Sequence, residues 1–345
     1  MGNVALAFIG SAAILALLYF LRGILIPFVV AFVLFVLVEA LVAGIRRRLP
    51  SAPAWLVAWT AGILVIVAAS LGIFIFAQGL VQMAEQTPAM LDRIDHLVAA
   101  AAHSFGVEAP PHIRLLAARV DAAKIASTVV SGVQGVGGSV ALIIIYFAFM
   151  LAGRSRTTRK FELIAGSSAS PASPNKLIER AAADIRTYLW VQTIHGVMVT
   201  AAAAGVMLAV GLHNVLFWTV TFFLLSFIPE LGVTVGSIAP ALFALLQFPT
   251  AWQGIVIFAV IQVAAFVVGT IIYPRLQARA QNIDPITTIV ALSFWTFLWG
   301  IAGAFLAVPL TLMMMMIFAQ FDSTKWIPAL LSNDGKYAGS GERSS

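Results

Sequence analysis

Between Leu216 and Leu246, two apolar runs are interrupted by the sequence Phe227-Ile228-Pro229-Glu230-Leu231-Gly232. Each run could form a helix, but each is only about half as long as the roughly 20 residues that a membrane crossing needs. Proline leaves a backbone carbonyl without its helical partner, and glycine admits unusual backbone torsions. A carboxylate or an unpaired carbonyl at membrane depth must face protein, water or a bound solute. The segment therefore predicts a helix broken near the midplane of a membrane.

The composition agrees with a membrane environment. Of the 345 residues, 61% are hydrophobic and only 10% are charged, whereas soluble domains have about 25% charged residues. The net charge of +6 comes largely from arginines at the ends of apolar runs, a distribution typical of membrane topology rather than of nucleic-acid binding. These features predict an all-α polytopic membrane protein.

Several kinds of chemistry are excluded or unsupported. The chain has no cysteine, which excludes disulfides, thiolate metal sites and cysteine nucleophiles. It has no P-loop, so ATP would not drive it directly. It also lacks the His-Glu-x-x-His and Gly-x-Ser-x-Gly motifs of intramembrane proteases and esterases. We therefore expect no enzyme activity, no cofactor and no metal site.

The apolar pattern predicts about eight membrane elements. It divides the chain into six segments, not all of which lie in the membrane. These are N-terminal transmembrane helices (1–79), an extramembrane amphipathic helical segment (80–136), one transmembrane helix (137–152), a cytoplasmic loop and amphipathic helix (153–187), a core with broken helices (188–320) and a polar, loose tail (321–345). The predicted spans in the first segment are Val4–Leu21, Ile24–Ala43 and a third from Trp55 to about Gln78. Ser173-Pro174 is the expected start of the amphipathic helix, because proline is favoured in a first helical turn.

Positive charge sets the expected topology of the first half. The clusters Arg46–Arg48 and Arg154–Lys160 belong in the cytoplasm by the positive-inside rule. Residues 80–136 then lie outside, and the N-terminus lies in the cytoplasm.

The same rule predicts two re-entrant helical hairpins. If Leu216–Leu246 folds back to its starting face, Arg275 and Arg279 remain inside, whereas a full crossing would place them outside. By the same logic, Ile286–Phe318 enters from the cytoplasm and returns there, which leaves the C-terminus cytoplasmic. The two hairpins would have opposite orientations and tips that meet near mid-membrane, the inverted arrangement of many secondary transporters.

Motifs along the second half of the chain resemble those of the AI-2E family of transporters. They are Phe227–Gly232 with Ile238-Ala239-Pro240-Ala241, Gln262, Tyr273-Pro274, Asp284-Pro285, Gly300-Ile301-Ala302-Gly303 with Ala307-Val308-Pro309, and Tyr188-Leu189 with Gln192 and Gly196. The resemblance implies a bacterial inner-membrane protein that assembles as a homo-oligomer, such as a pentamer. It also implies export of the quorum-sensing autoinducer-2 in some members and sodium(lithium)/proton antiport in others.

Two sets of candidate site residues follow. The candidates for solute or ion binding are Pro229, Glu230, Gly232, Gln262, Asn282 and Asp284. The residues expected to shape the backbone are Pro274, Pro285, Gly300, Gly303 and Pro309.

Several candidates have more than one interpretation. Glu230 would carry a proton or bind a cation if it is embedded, or it would cap the second half-helix. Asp284 would bind a ligand in a vestibule or cap the helix that begins at Pro285. Gln262 would contact the solute or hydrogen-bond to another helix, and His195 would relay protons or simply pack.

The leading hypothesis is a secondary transporter, specifically an exporter, that moves a small polar solute through the bilayer by alternating access. A sodium(lithium)/proton antiporter, with a monovalent cation as substrate, is the nearest alternative. A passive pore or a structural membrane oligomer is the alternative from another class.

Overall fold

The structure is a computed structural model that describes residues 2–48, 50–51, 53–104, 138–153, 174–229, 231–272, 283–321, 323–333 and 335. The helices of this part of the chain are α1 (Gly2–Phe20), α2 (Arg22–Arg48), α3 (Ala54–Ser104), α4 (Gly138–Gly153), α5 (Pro174–Ala209), α6 (Val215–Leu225), α7 (Leu231–Gln247), α8 (Trp252–Val267, continued by a π-helical turn, Val268–Ile272), α9 (Pro285–Trp299), α10 (Ile301–Ala319) and α11 (Trp326–Leu331).

The helices confirm the predicted fold class, an all-α polytopic membrane protein. Five helical segments among the described residues are long and apolar enough to cross a membrane: Arg22–Arg48, Trp55–Gln86, Ala183–Ala209, Trp252–Ile271 and Ile301–Ala319. Shorter apolar helices accompany them in α1, α4, α6, α7 and α9. Large apolar side chains such as Val263 and Ile255 are mostly exposed, as expected for a helix surface that contacts lipid.

α1 and α2 are joined more tightly than the sequence suggested. Only Leu21 separates the two helices. The backbone N–H groups of Leu21 and Leu25 donate to the carbonyls of Leu17 and Leu21, each at 2.9 Å. Leu21 therefore takes part in helical hydrogen bonds with both helices, and Arg22 opens α2 instead of interrupting the apolar pattern.

α3 is one continuous helix of 51 residues, so the predicted boundary at residue 79 lies inside it. Gly79 lies inside the helix, and its bare Cα accommodates the Phe217 ring of α6, which a side chain there would overlap. Further along, the guanidinium of Arg93 donates to the carbonyls of Phe248 and Pro249 at 3.2 and 3.0 Å. The helical pattern predicted from residue 80 onward thus continues the third span and packs against the loop between α7 and α8. Residues 105–136 of that predicted segment lie outside the described residues.

α6 and α7 pack against each other and form hairpin 1 (Val215–Gln247). The Nε2 group of Gln247, at the end of α7, donates to the carbonyl of Gly211 at 3.0 Å. Its Oε1 atom accepts from the backbone N–H of His213 at 2.7 Å. Because residues 211–213 lie just before α6, the two ends of hairpin 1 are adjacent, and the chain leaves the hairpin where it entered.

α9 and α10 form hairpin 2 (Pro285–Ala319), in which Gly300 alone makes the turn. Its backbone torsions, φ 63° and ψ −142°, lie in a region that residues with a Cβ rarely adopt. A Cβ on Gly303 would overlap the Trp295 carbonyl oxygen, so Gly303 permits the two helices to meet at backbone contact. Gly300 and Gly303 are two of the residues that the sequence predicts to shape the backbone.

The C-terminal segment corrects one prediction. We expected the chain after Lys325 to be loose, but Trp326–Leu331 forms α11, which packs on α10. The carbonyl of Leu331 accepts the backbone N–H of Asp284 at 3.2 Å, which ties α11 to the start of α9. This short stretch is apolar enough to pack because it contains Trp326, Ile327, Leu330 and Leu331. The polar residues on either side make it hard to recognise in the sequence.

Candidate functional site

The tip of hairpin 1 rests on the middle of α5. The side-chain amide of Gln192 donates from Nε2 to the Ser226 carbonyl, and the Ser226 hydroxyl donates to the Phe223 carbonyl at 2.7 Å. A Cβ on Gly196 would lie 2.5 Å from the Ser226 Oγ. Gln192 and Gly196 therefore provide a hydrogen bond and a gap into which the tip fits.

The chain reverses at this tip through a short, internally bonded turn. The backbone N–H groups of Phe227 and Ile228 donate to the carbonyls of Leu224 and Leu225 at 3.1 and 2.8 Å, and that of Gly232 donates to Ile228 at 3.0 Å. Gly232 packs so closely on the Leu225 carbonyl that a Cβ would overlap its oxygen. Gly232 in hairpin 1 and Gly303 in hairpin 2 thus have the same packing role.

The tips of the two hairpins share one apolar cluster. Ile228 and Leu225 of hairpin 1 belong to the same cluster as Trp295, Leu298 and Trp299 of hairpin 2. The indole N–H of Trp299 also donates to the Leu18 carbonyl at 3.0 Å, which attaches hairpin 2 to the junction of α1 and α2. The two broken elements therefore contact each other through this cluster.

A cavity of about 580 Å³ lies beside the tip of hairpin 1. It is enclosed by α5, hairpin 1, α8, the start of α9 and the middle of α10. The lining residues are Tyr188, Gln192, His195, Ser226, Ile228, Pro229, Val233, Thr234, Gln262, Ala265, Phe266, Gly269, Ile283, Pro285, Thr288 and Val308.

The polar groups of this lining are hydroxyls, amides and one imidazole. Within the described residues, the lining contains no Asp, Glu, Lys or Arg. Gln262 accepts from the hydroxyl of Ser237 at 3.3 Å, and Ser237 also bonds to the Thr234 carbonyl at 3.0 Å. The helix–helix hydrogen bond expected for Gln262 is therefore present, and the same side chain borders the cavity.

The cavity occupies one half of the helical bundle. α5 contributes residues 188–195 from the first half of Ala183–Ala209, and α8 contributes residues 262–269 from the second half of Trp252–Ile271. The other half is filled by buried apolar side chains of α5, α6, α7 and α8, which we call the closing cluster: Val199, Ala203, Met207, Phe217, Trp218, Phe222, Ala241, Phe243, Ala244, Ile257 and Ile261.

The predicted site residues separate into three groups. Pro229, Gln262 and Pro285 line the cavity. Gly232, Gly300, Gly303 and Asp284 do not line it, and Pro309 is buried in α10 next to the lining residue Val308. Glu230, Pro274 and Asn282 lie outside the described residues.

Asp284 caps α9. Its Oδ2 atom accepts from the backbone N–H groups of Ile286 and Thr287 at 2.9 and 3.3 Å, and Pro285 occupies the first helical position. This is the capping interpretation considered for Asp284, and it is a favourable arrangement for a carboxylate at a helix N-terminus.

Four features of the site were not singled out from the sequence. Ser226, Thr234 and Thr288 line the cavity, but isolated hydroxyl residues in apolar runs carry little signal. The π-helical turn Val268–Ile272 places Gly269 in the wall, and such turns frequently occur at functional sites. The only hint of it in the sequence was a glycine inside an apolar span.

Comparison with known proteins identifies relatives over most of the chain. A sequence model described as AI-2E family transporter matches residues 8–322. The AI-2 transport protein TqsA of Escherichia coli strain K12 is 26% identical over 198 residues, which cover 57% of this chain and 56% of that protein. A provisionally named transport protein of Haemophilus influenzae strain Rd is 26% identical over 208 residues, or 60% of each chain. The provisionally named transport protein YhhT of Escherichia coli strain K12 is 25% identical over 196 residues, or 56% of this chain and 55% of that protein. The chain thus spans little more than half the length of these curated relatives.

Proposed function

The chain belongs to the AI-2E family of transporters, and we propose that it carries a small, neutral, polar solute across a membrane by alternating access. The observation that carries this proposal is the cavity of about 580 Å³ at the tip of hairpin 1. That volume lies within the range of small-molecule sites in proteins.

The lining favours an uncharged solute over a cation. Hydroxyls and amides can both donate and accept hydrogen bonds, as the hydroxyl and carbonyl groups of a small oxygenated molecule require. A sodium/proton antiporter would need a membrane-embedded group that exchanges a proton for the cation, commonly a carboxylate, and the described lining residues include no carboxylate. A solute like autoinducer-2, the molecule in the name of one relative, has the proposed chemistry.

We place hairpin 1 in the membrane as a re-entrant element. Its ends are joined by the hydrogen bonds of Gln247 to residues 211 and 213. Its tip contacts Gly196, the central residue of the 27-residue span Ala183–Ala209. At 1.5 Å per residue, that contact lies about 20 Å from either end of the span, which corresponds to mid-membrane depth.

We place hairpin 2 in the opposite orientation. α9 has 15 residues and is about 22 Å long, shorter than the roughly 30 Å hydrocarbon core of a bilayer. Arg46–Arg48 and Arg186 lie at the end of the bundle towards which the cavity extends, and the positive-inside rule assigns that end to the cytoplasm. The cavity would then face the cytoplasm of a bacterial inner membrane, with both termini on the same side and further copies of the chain completing a homo-oligomer.

The proposed transport cycle alternates which half of the bundle is packed. In the present arrangement the closing cluster seals the outer half, and the inner half holds the cavity. Release to the outside would require hairpin 1 to separate from α5 and α8 along the closing cluster while the inner half closes around Gln192 and Gln262. The tip contact between Gln192 and Ser226 is the natural pivot, because it lies between the two halves.

Flux measurements on the purified chain in proteoliposomes test this proposal. We expect saturable uptake of a hydroxylated furanone such as autoinducer-2, competed by similar neutral polyols and independent of a sodium gradient. Uptake that never saturates would indicate a pore. A pH change driven by sodium or lithium in the absence of organic solute would indicate the antiporter instead.

A further inference from the structure

A second recess lies on the surface between the end of α2 and the start of α5. Its volume is about 540 Å³. It is lined by the polar or aromatic residues Arg47, Arg48, Arg186 and Trp190 and by apolar residues that include Leu41 and Ile45. It shares no lining residue with the cavity at hairpin 1. We call it the arginine recess, and its chemistry has no part in the proposed solute site.

The arginine recess has a net positive charge. Three guanidinium groups line it, and no carboxylate does so among the described residues. A smaller recess of about 360 Å³ on the other side of Arg47 and Arg186 adds Arg46 and Glu39, and Asp184 precedes Arg186 by two residues on α5. Four arginines thus line the two recesses, with Glu39 beside them and Asp184 close by in the chain, and the C-terminal end of α2 contributes only about half a negative charge. The remaining positive charge is sufficient to bind a group that carries one or two negative charges.

The walls of the recess are apolar as well as basic. Arg186 and Trp190 are one helical turn apart and lie on the same face of α5, and Leu41, Ile45 and Arg48 follow one face of α2 in the same way. Trp190 is 44% exposed and Ile45 is 36% exposed. A small soluble anion would leave these side chains uncovered, whereas an amphiphile would cover them and satisfy the arginines together.

The recess lies at an end of the bundle, at the level where lipid headgroups would contact the protein. α2 is a membrane-spanning candidate that finishes in Arg46–Arg48, and tryptophan is favoured at the headgroup level of a bilayer. Guanidinium groups bind phosphate oxygens through paired hydrogen bonds. Basic pockets between transmembrane helices on the cytoplasmic side are known binding places for anionic lipid headgroups.

We propose that the arginine recess binds one anionic phospholipid, such as phosphatidylglycerol. Arg47, Arg48 and Arg186 hold the headgroup phosphate, and one acyl chain lies along Leu41, Ile45 and Trp190. The bound lipid would join α2 to α5, the helix on which the tip of hairpin 1 rests.

Fluorescence quenching by brominated lipids tests this proposal on the full-length chain in vesicles. The chain has eight tryptophans, so the contribution of Trp190 is obtained as the difference between the wild type and Trp190→Phe. We expect brominated phosphatidylglycerol, diluted into phosphatidylcholine, to quench this component at a much lower mole fraction than brominated phosphatidylcholine does. Equal quenching by the two lipids would overturn the proposal.

Arginine variants show whether the headgroup phosphate is responsible for the preference for phosphatidylglycerol. Arg47→Gln with Arg186→Gln should reduce the preference for phosphatidylglycerol by about 25-fold, since each arginine at an anionic surface contributes roughly fivefold. Arg47→Lys with Arg186→Lys should retain part of the preference, because charge remains while paired hydrogen bonding is lost. Arg22→Gln, at the opposite end of α2, is the matched control and should retain all of it. An equal loss in the control would contradict a localised site.

A competition experiment distinguishes binding of the whole lipid from binding of its headgroup alone. Soluble glycerol phosphate should displace brominated phosphatidylglycerol only weakly, because it cannot cover the apolar wall. Displacement by glycerol phosphate at concentrations comparable to those of the lipid would show that the recess is a site for a free anion, and would refute the lipid. If the double glutamine variant does not fold, the wild-type comparison of the two brominated lipids still decides the question.

Discussion

Thr311 links the two helices of hairpin 2 through a buried hydroxyl. It accepts the indole N–H of Trp295 at 3.2 Å and donates to the Ala307 carbonyl at 2.7 Å. Thr311 is 1% exposed and Trp295 is 5% exposed, so water cannot replace a lost partner. The hydroxyl is therefore worth more here than it would be at the surface.

Thr311→Val keeps the shape of the side chain and removes this acceptor. We expect the free energy of unfolding to fall by about 1–3 kcal/mol, the cost of leaving a buried donor unsatisfied, with a lower thermal unfolding midpoint in detergent. Thr60→Val is the matched control, because Thr60 is exposed and its hydroxyl bonds only to carbonyls of its own helix; its effect should stay within about 0.5 kcal/mol. Similar losses in both variants would contradict the role assigned to Thr311.

Gln262 offers a second test at the level of one side chain. Gln262→Leu should lower solute flux about tenfold, which corresponds to one hydrogen bond to the solute, while Ser237 keeps its bond to the Thr234 carbonyl and the fold survives. Gln320→Leu, an exposed glutamine that does not line the cavity, should leave flux unchanged. Unaltered flux in Gln262→Leu would remove this amide from the solute site.

The site residues were only partly predictable, and the difference has a physical cause. Gln262 and Pro229 are conspicuous because a polar group or a helix breaker in an apolar run has a high cost that some structure must relieve. Ser226 carries no such signal. Its importance depends on Gln192 and Gly196, which approach it only when α5 and hairpin 1 are folded together.

At the scale of helices, each hairpin depends on a glycine that packs directly against a backbone carbonyl of the facing helix. Gly232→Ala and Gly303→Ala each place a methyl group on a carbonyl oxygen, of Leu225 and Trp295 respectively. Neither oxygen can move without displacing a helix, so we expect each variant to lose more than about 3 kcal/mol of stability and to express poorly.

Gly205→Ala provides the control for these two variants. Gly205 lies within α5, and nothing is within 4 Å of the position that its Cβ would occupy. The substitution should raise stability slightly, by up to about 1 kcal/mol, because alanine is the better helix former. Thermal unfolding of the three variants side by side checks the prediction, and a tolerated Gly232→Ala would show that hairpin 1 is not closed at its tip.

The helices themselves were largely predictable, but their ends were not. Apolar runs in the sequence correspond to the apolar helices, and α5 begins at Pro174 as expected. The sequence could not show that Gly79 would receive the Phe217 ring rather than end α3, because that contact joins residues far apart in the chain. α11 was missed for a similar reason: its apolar residues have a partner only in the folded protein, at α10 and the start of α9.

At the scale of the whole molecule, the proposed orientation predicts which side reaches the cavity. Because the chain has no cysteine, single substitutions can be labelled without background. Thr288→Cys, in the cavity wall, should react with a membrane-impermeant maleimide from the cytoplasmic side only, and added solute should slow the reaction. Ala241→Cys, in the closing cluster, should react from neither side. Labelling of Thr288→Cys from the outside alone would reverse the proposed orientation.

The uninterrupted length of α3 has a mechanical consequence. Its 51 residues extend about 77 Å, well beyond the roughly 45 Å of a bilayer with its headgroups, so part of this rod stands clear of the lipid or lies steeply tilted. It is braced near one end, where Phe147 of α4 packs at Gly62, and fastened again by Arg93 to the loop after α7. Between these two points Gly79 receives the Phe217 ring of α6, so α3 is also attached to hairpin 1 about 21 Å before Arg93. A force applied to α3 beyond Arg93 would therefore reach hairpin 1, whose tip borders the cavity.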